Sequence, residues 1–181
     1  MSWTDFYRRR EILEAAVRHA QRTPGEPLVL AEIPGATDVF GCEENLLLAL
    51  QYKWTQVLGG HLRAELADPE DAAADGVGDQ VDAVSRAWRR AQSEHETLRA
   101  VLDGALTRHP SLVNLHEGEL RTLALTAGLA SPGEPTEEIT RVGYAFDSLV
   151  RAGSDRSDRA ACPVRRRSPM GHLMRLLAPS A

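Results

Sequence analysis

The stretch 39–66, VFGCEENLLLALQYKWTQVLGGHLRAEL, carries a strong helical pattern around which the rest of the chain is arranged. Its apolar positions recur at three and four residues, the spacing that places side chains on one stripe of an α-helix. Glu43 and Glu44 follow Gly41 and Cys42, and carboxylates favour the positive N-terminal end of a helix dipole. The stretch therefore predicts one long amphipathic helix that begins near Cys42, with the following residues on its buried stripe: Leu47, Leu50, Trp54, Leu58 and His61.

A second long helix is predicted over 79–109, because apolar residues again alternate at three and four positions, a seam typical of two helices packed along their length. Its stripe holds Val81, Val84, Trp88, Ala91, His95, Leu98, Leu102 and Ala105. The acidic loop 67–79, ADPEDAAADGVGD, separates it from the first long helix. We expect the two helices to form a long central antiparallel hairpin.

Three further helices complete the prediction. The first covers 4–21, with a stripe of Phe6, Leu13, Val17 and Ala20. A fourth helix is predicted to open at the capping box formed by Asn114 and Glu117 and to run to about residue 129. Thr136 caps a fifth helix with a stripe of Ile139, Val142, Phe146 and Leu149. Proline and glycine interrupt the chain at 23–41 and 131–135, and no stretch alternates in the manner of a β-strand. The fold class is all-α.

Charge divides the chain into an acidic domain and a basic tail. Residues 153–181 hold six arginines and two aspartates, a net charge of +4, so the total of −5 leaves −9 on residues 1–152. We expect residues 1–152 to form one helical domain and the tail to be disordered, or alternatively to form a basic amphipathic segment. The acidic domain argues against broad nucleic-acid binding, which needs a basic surface.

Cysteine content and hydropathy predict a cytoplasmic protein. Cys42 and Cys162 are far apart and belong to no metal or redox motif, so we expect reduced thiols. There is no apolar run near 18 residues, and we expect no membrane span. The first residues, MSWTDFYRRR, are charged where a signal peptide is apolar.

Two segments resemble the TetR family of transcriptional regulators. RREILEAAVRHA, residues 9–20, is similar to the first helix of that family, and VFGCEENLLLAL, residues 39–50, is similar to its junction between recognition helix and ligand domain. Phe40 stands at the position of the terminal aromatic, and Cys42 at that of the capping serine. The resemblance implies a five-helix bundle of TetR-like architecture, with residues 1–41 a remnant of the DNA-binding region. Residues 42–152 would then form the ligand-binding and dimerisation region, and the protein would be a homodimer.

The sequence departs from the TetR pattern where DNA would be read. A helix-turn-helix needs two helices joined by a tight turn, whereas only PGATDVF, residues 34–40, is left for the recognition helix. No Lys, Arg or His lies between Arg22 and Lys53. We therefore expect no DNA reading in the family manner. In the alternative, a working TetR-type regulator, phosphate contacts would fall to Arg8, Arg9 and Arg10.

No catalytic motif or cofactor site is assembled in the sequence. There is no nucleophile elbow and no phosphate-binding loop, and neither cysteine has a histidine nearby. A turn near 68–78 would place His61 and His95 about 15 Å apart along the hairpin, at 1.5 Å per residue, so they should share no metal. We expect no enzyme activity, no cofactor and no bound metal. A helical-bundle enzyme or metalloprotein is the second alternative.

The same hairpin geometry predicts a ligand pocket at its middle, lined by Trp54, Leu58, Trp88, Gln92 and His95. Two indoles suit a flat apolar ligand, and an amide and an imidazole supply the few polar contacts of such sites. A packed core without a ligand is the competing interpretation. The predicted function is thus non-enzymatic binding of a small apolar ligand, a protein partner, or both.

Overall fold

The computed structural model describes residues 3–66 and 77–161, except the side chains of 77–79 and 154–161. These ranges contain helices and no β-strand, which confirms the all-α class. The elements are α1 (Trp3–Arg22), a 3₁₀ turn (Leu30–Glu32), α2 (Ala36–Phe40), α3 (Glu43–Leu66), α4 (Val77–Glu94), α5 (Glu96–Ala105), α6 (Pro110–Thr126) and α7 (Thr136–Ala161). The prediction of five helices is corrected to seven over the described ranges.

Helices α3 and α4 pack along their length as an antiparallel pair. Arg86 Nε lies 3.0 Å from Glu65 Oε2, and His61 Nε2 lies 3.4 Å from Glu94 Oε2. The earlier residue of α3 contacts the later residue of α4, so the two helices are antiparallel. This agrees with the predicted central hairpin.

The predicted helix over 79–109 is divided in two at His95. The backbone of His95 has φ −131° and ψ 37°, outside the helical region, and α5 starts at the next residue. Neither proline nor glycine stands at the break. Hydrogen bonds continue across it, from His95 N to Ala91 O at 3.1 Å and from Arg99 N to His95 O at 3.1 Å. Beyond the break, α5 packs against α1 and α3.

The start of α6 and the buried face of α7 also differ from the prediction. Helix α6 begins at Pro110, not at the Asn114 capping box, because proline suits the first helical turn, where no N–H partner is needed. On α7, Val150 is buried at 3% exposure, whereas Leu149 from the predicted stripe is 69% exposed. Helix α7 also continues through Ala161, so residues 153–161 of the predicted tail are helical. The remainder of that tail, 162–181, lies outside the described residues.

The buried face of α1 consists of Ile12, Ala16 and Ala20, while Phe6 from the predicted stripe is 51% exposed. Two alanines on this face let α1 lie close to its neighbours. At the other end of the connector, Gly41 adopts φ +73°. Only glycine takes this conformation without strain, and it lets the chain leave α2 and enter α3 two residues later.

Helices α6 and α7 approach each other closely at Gly143. A Cβ atom built there would overlap the carbonyl group of Leu120, with the carbonyl carbon 2.7 Å away. The absence of a side chain at 143 therefore allows the backbones of α6 and α7 to approach. Next to this contact, the core continues through every helix of the described ranges, centred on Trp54 and Trp88.

Among the described residues, no helix is long and apolar enough to cross a membrane.

Candidate functional site

The predicted pocket residues lie in or beside the core. Trp54 and Trp88 are fully buried and Leu58 is 4% exposed, while Gln92 and His95 are partly buried. Each indole faces a guanidinium group: Arg99 Cζ lies 5.2 Å from the Trp54 ring and Arg151 Cζ lies 5.2 Å from the Trp88 ring. None of the five predicted residues lines any of the four surface grooves described below. A ligand between them stays a prediction.

The prediction that His61 and His95 lie far apart along the hairpin is wrong, because α3 and α4 pack in a different register. The contact of His61 with Glu94 places the two histidines at similar levels, because Glu94 immediately precedes His95. Burial lowers the pKa of His95, and the charges of Lys53 and His61 lower it further, while Glu94 opposes the shift. Within the part of the chain that the structure describes, no three His, Cys, Asp or Glu side chains are placed to hold a metal ion.

A network of buried charges joins α3, α5 and α6. Arg99 Nη1 donates to Glu119 Oε1 at 2.7 Å, and both side chains are 3% exposed. Gln51 Nε2 donates to the other carboxylate oxygen at 3.1 Å. The second nitrogen of Arg99, Nη2, lies 2.8 Å from Asp103 Oδ1 and 3.4 Å from His116 Nδ1. Each buried charge thus has at least one partner of opposite sign.

Asp103 extends this network to α7. Its second oxygen lies 2.8 Å from Arg151 Nη1, and Arg151 Nε lies 2.7 Å from Asp147 Oδ2. Two arginines therefore share one aspartate, and each covers one of the core indoles. We call Gln51, Arg99, Asp103, Glu119 and Arg151 the buried network. Its members bind mainly one another and the network connects four helices, so we expect it to stabilise the bundle.

The ionised form of Glu119 is favoured inside the fold. Burial raises the pKa of this carboxyl group, but the neighbouring His116 ring and the charge of Arg99 outweigh burial and lower the pKa below its ordinary value of 4.5. A carboxylate with a lowered pKa contributes stability above the pKa of the unfolded chain. That contribution is lost as the pH falls through the lower pKa of the folded state.

We expect acid to weaken the wild-type protein more than the variant Glu119→Gln. The variant is less stable at neutral pH, because an amide cannot form the ion pair with Arg99. The difference in free energy of unfolding should shrink as the pH falls below 4.5, where Glu119 of the unfolded chain binds a proton, and should vanish below the lower pKa of the folded state. Urea unfolding followed by circular dichroism at several pH values measures it. A difference that stays constant down to the acid transition would contradict the assignment, and Glu137→Gln, an exposed carboxylate on α7, is the control.

The largest groove described on the surface lies between α1, α2 and α3 and has a volume of ≈ 930 Å³. We call it the α1–α3 groove. Its apolar floor consists of Leu13, Val39, Phe40, Leu48, Ala49 and Val57. Two aromatic side chains stand at its edge, Phe6 at 51% exposure and Tyr52 at 65% exposure. Three other grooves, of ≈ 390, ≈ 510 and ≈ 310 Å³, are smaller.

Two contacts hold Phe40 at the base of the α1–α3 groove. Arg9 Cζ lies 4.7 Å from the centre of its ring, and Asn45 Nδ2 donates to its backbone oxygen at 2.9 Å. The first contact comes from α1 and the second from α3. The last residue of α2 is therefore fixed between the two helices that form the groove walls.

The three arginines predicted for phosphate contact point to different partners. Arg8 Nη2 lies 3.4 Å from Asp38 Oδ2, and Arg10 Nε lies 3.0 Å from Glu14 Oε1. Arg9 covers Phe40. Two of the three charges are thus paired with carboxylates. Arg9 faces the groove and has no carboxylate partner among the described residues.

The sequence carried a signal for the α1–α3 groove that the helix stripes did not use. Groove residues of α3 recur at 45, 48, 49, 52, 53, 56 and 57, which is a second face at helical spacing. This face is apolar in part and lies beside the core stripe. Its exposure depends on how α1 lies across α3, and the sequence pattern of α3 alone does not indicate that.

Comparisons with protein-family models, with curated proteins and with solved structures found no match to this chain. Resemblance to the TetR family stays a prediction.

Proposed function

We propose that this chain is a binding protein rather than an enzyme, and that the α1–α3 groove takes a small apolar ligand. The observation that carries the proposal is the groove itself, an apolar floor of six side chains with two half-exposed aromatic rings at its edge. Its volume of ≈ 930 Å³ lies in the range of small-molecule sites, about 300–1,000 Å³.

The energetic reason is the apolar surface left in water at this site. Phe6 and Tyr52 are each more than half exposed, although aromatic rings contribute much to stability when they are buried. Covering apolar surface yields about 25 cal/mol per Å². A ligand that lies on the floor and under the two rings would gain this energy without a change in the helices.

We further propose that the chain is a TetR-like regulatory protein that does not read DNA in the family manner. Helix α2, at the position of a recognition helix, has five residues, which is too short to place several side chains on base edges. Asp38 within α2 is exposed, and its carboxylate would repel phosphate. Arg8 pairs with Asp38, so this arginine is not free to bind phosphate. Enrichment of one specific duplex from a random DNA library would overturn this part of the proposal.

The variant Tyr52→Glu tests the groove as the binding site. N-phenylnaphthylamine is a neutral probe that fluoresces in apolar surroundings, and it should bind the wild-type protein. Its affinity for the variant should be about tenfold lower, a difference of ~1.4 kcal/mol. The reason is that a carboxylate replaces part of the apolar edge. Because Tyr52 is 65% exposed, the helix content should not change. Fluorescence titration with circular dichroism as a check on folding gives both values.

Leu149→Glu is the matched control, because Leu149 is 69% exposed on α7, away from the groove. It should bind the neutral probe as the wild-type protein does. Equal affinity of the wild-type protein and Tyr52→Glu would place the probe elsewhere and contradict the proposed site. Homodimer formation, a protein partner and a cytoplasmic location stay predictions.

A further inference from the structure

The charge of the α1–α3 groove is opposite to that of the whole protein. Three cations line the groove, Arg9, Arg10 and Lys53, against one carboxylate, Glu14. Three positive charges and one negative charge leave a net +2, in a chain whose total is −5. An apolar groove with a positive charge of its own favours a ligand that is both apolar and anionic.

The cations of the groove differ in what they already bind. Arg10 is satisfied by Glu14 at 3.0 Å, so this pair contributes no net charge. Lys53 forms no ion pair within the ranges that the structure describes, and it is the single lysine of the chain. The positive charge of Lys53 contributes to lowering the pKa of both Glu14 and His95.

We propose that the ligand of the α1–α3 groove is an apolar anion, of the class of long-chain carboxylates, whose charged group pairs with Lys53. Arg9, over the Phe40 ring, adds a second positive charge nearer the α2 end of the groove. The alkyl part lies on the apolar floor between them. This inference rests on the proposed function, because it names the ligand class of the same site.

A small anion fits these charges better than a nucleic acid or an extended acidic surface. Phosphate backbones are bound by many cations, and each contact increases the salt dependence of binding. Here, after pairing, two cations remain, Arg9 and Lys53, and they lie within one groove. One carboxylate group with an apolar chain would use both the charge and the floor.

Two probes of nearly equal shape test the inference. Anilinonaphthalene sulfonate differs from N-phenylnaphthylamine by one sulfonate group. The anionic probe should bind the wild-type protein about tenfold more tightly at low salt, and Lys53→Gln should remove that preference while the neutral probe keeps its affinity. Arg63→Gln, which removes an equal charge from α3 outside the groove, should leave the preference unchanged. Dodecanoate should displace the anionic probe more effectively than methyl dodecanoate does.

The single lysine supplies a direct readout. After reductive methylation with labelled formaldehyde, which keeps the charge, Lys53 gives one side-chain methyl signal in nuclear magnetic resonance spectra. That signal should shift when dodecanoate is added and stay in place with methyl dodecanoate. If both probes bind equally and Lys53→Gln changes neither, the ligand is apolar but not anionic, and this inference fails while the proposed function stands. If neither probe is affected by Tyr52→Glu, the proposed function itself fails.

Discussion

Arg99→Met is expected to lower the free energy of unfolding by about 3–5 kcal/mol, the cost of removing one partner of a buried ion pair. Arg99 is 2% exposed, and its guanidinium group holds Glu119 at 2.7 Å and Asp103 at 2.8 Å. Methionine fills much of the same volume but donates no hydrogen bond. Glu119 would then keep a buried negative charge with Gln51 as its main donor.

Thermal and urea unfolding followed by circular dichroism would measure this loss. For a chain of this length we expect a fall in Tm of roughly 6–20 °C. The control is Arg141→Met, because Arg141 pairs with Glu138 at the surface, and exposed pairs contribute about 0–1 kcal/mol. A loss of less than about 1 kcal/mol for Arg99→Met would show that the network does not hold the bundle together.

A double variant separates the ion pair from the packing of its parts. Arg99→Met with Glu119→Gln leaves no unpaired charge at this position, so it should be more stable than Arg99→Met alone. If instead the two losses simply add, the side chains contribute independently. The charge of Glu119 would then not be the reason for the large effect of Arg99→Met.

Gly143→Ala is expected to destabilise the protein by about 1–3 kcal/mol or more, the usual range for an atom forced into a filled space. The added methyl group would overlap the carbonyl group of Leu120 in α6, which is backbone and cannot rotate away. Helices α6 and α7 would have to separate. Elsewhere in a helix the same change stabilises by about 1 kcal/mol, so the sign of the effect is diagnostic.

Gly60→Ala is the matched control for this change. Gly60 lies inside α3, and a Cβ atom there would meet nothing within 4 Å. The control should raise the free energy of unfolding and Gly143→Ala should lower it, both measured by urea unfolding. Stabilisation by Gly143→Ala would mean that α6 and α7 do not pack as closely in solution.

The helices themselves could be predicted because their signals are local. Trp54, Leu58, Trp88 and Leu98 lie on stripes that hydrophobic spacing identifies, and all four are buried. The errors are local as well. Pro110 starts a helix that the capping box placed at Asn114, and His95 divides a stripe that the spacing presents as continuous. Proline suits the first turn of a helix, and the break at His95 lies where α5 begins to pack against α1 and α3.

The buried network could not be predicted in the same way. An arginine on a helix is normally exposed, so nothing at position 99 indicates burial. Its partner Glu119 lies 20 residues away, and Gln51 lies 68 residues from Glu119. Only the packing of α3, α5 and α6 against one another brings these three side chains together.

Helical periodicity lies in short segments, so the sequence alone predicts the all-α class, the central hairpin and most apolar residues of the core. The packing of the helices sets which charges are buried and where a groove opens. Both depend on the distance and angle between helices that are remote in sequence. Tyr52 and Lys53 lie beside Trp54 in the chain but on another face of α3, and the packing of α1 and α2 against that face forms the groove.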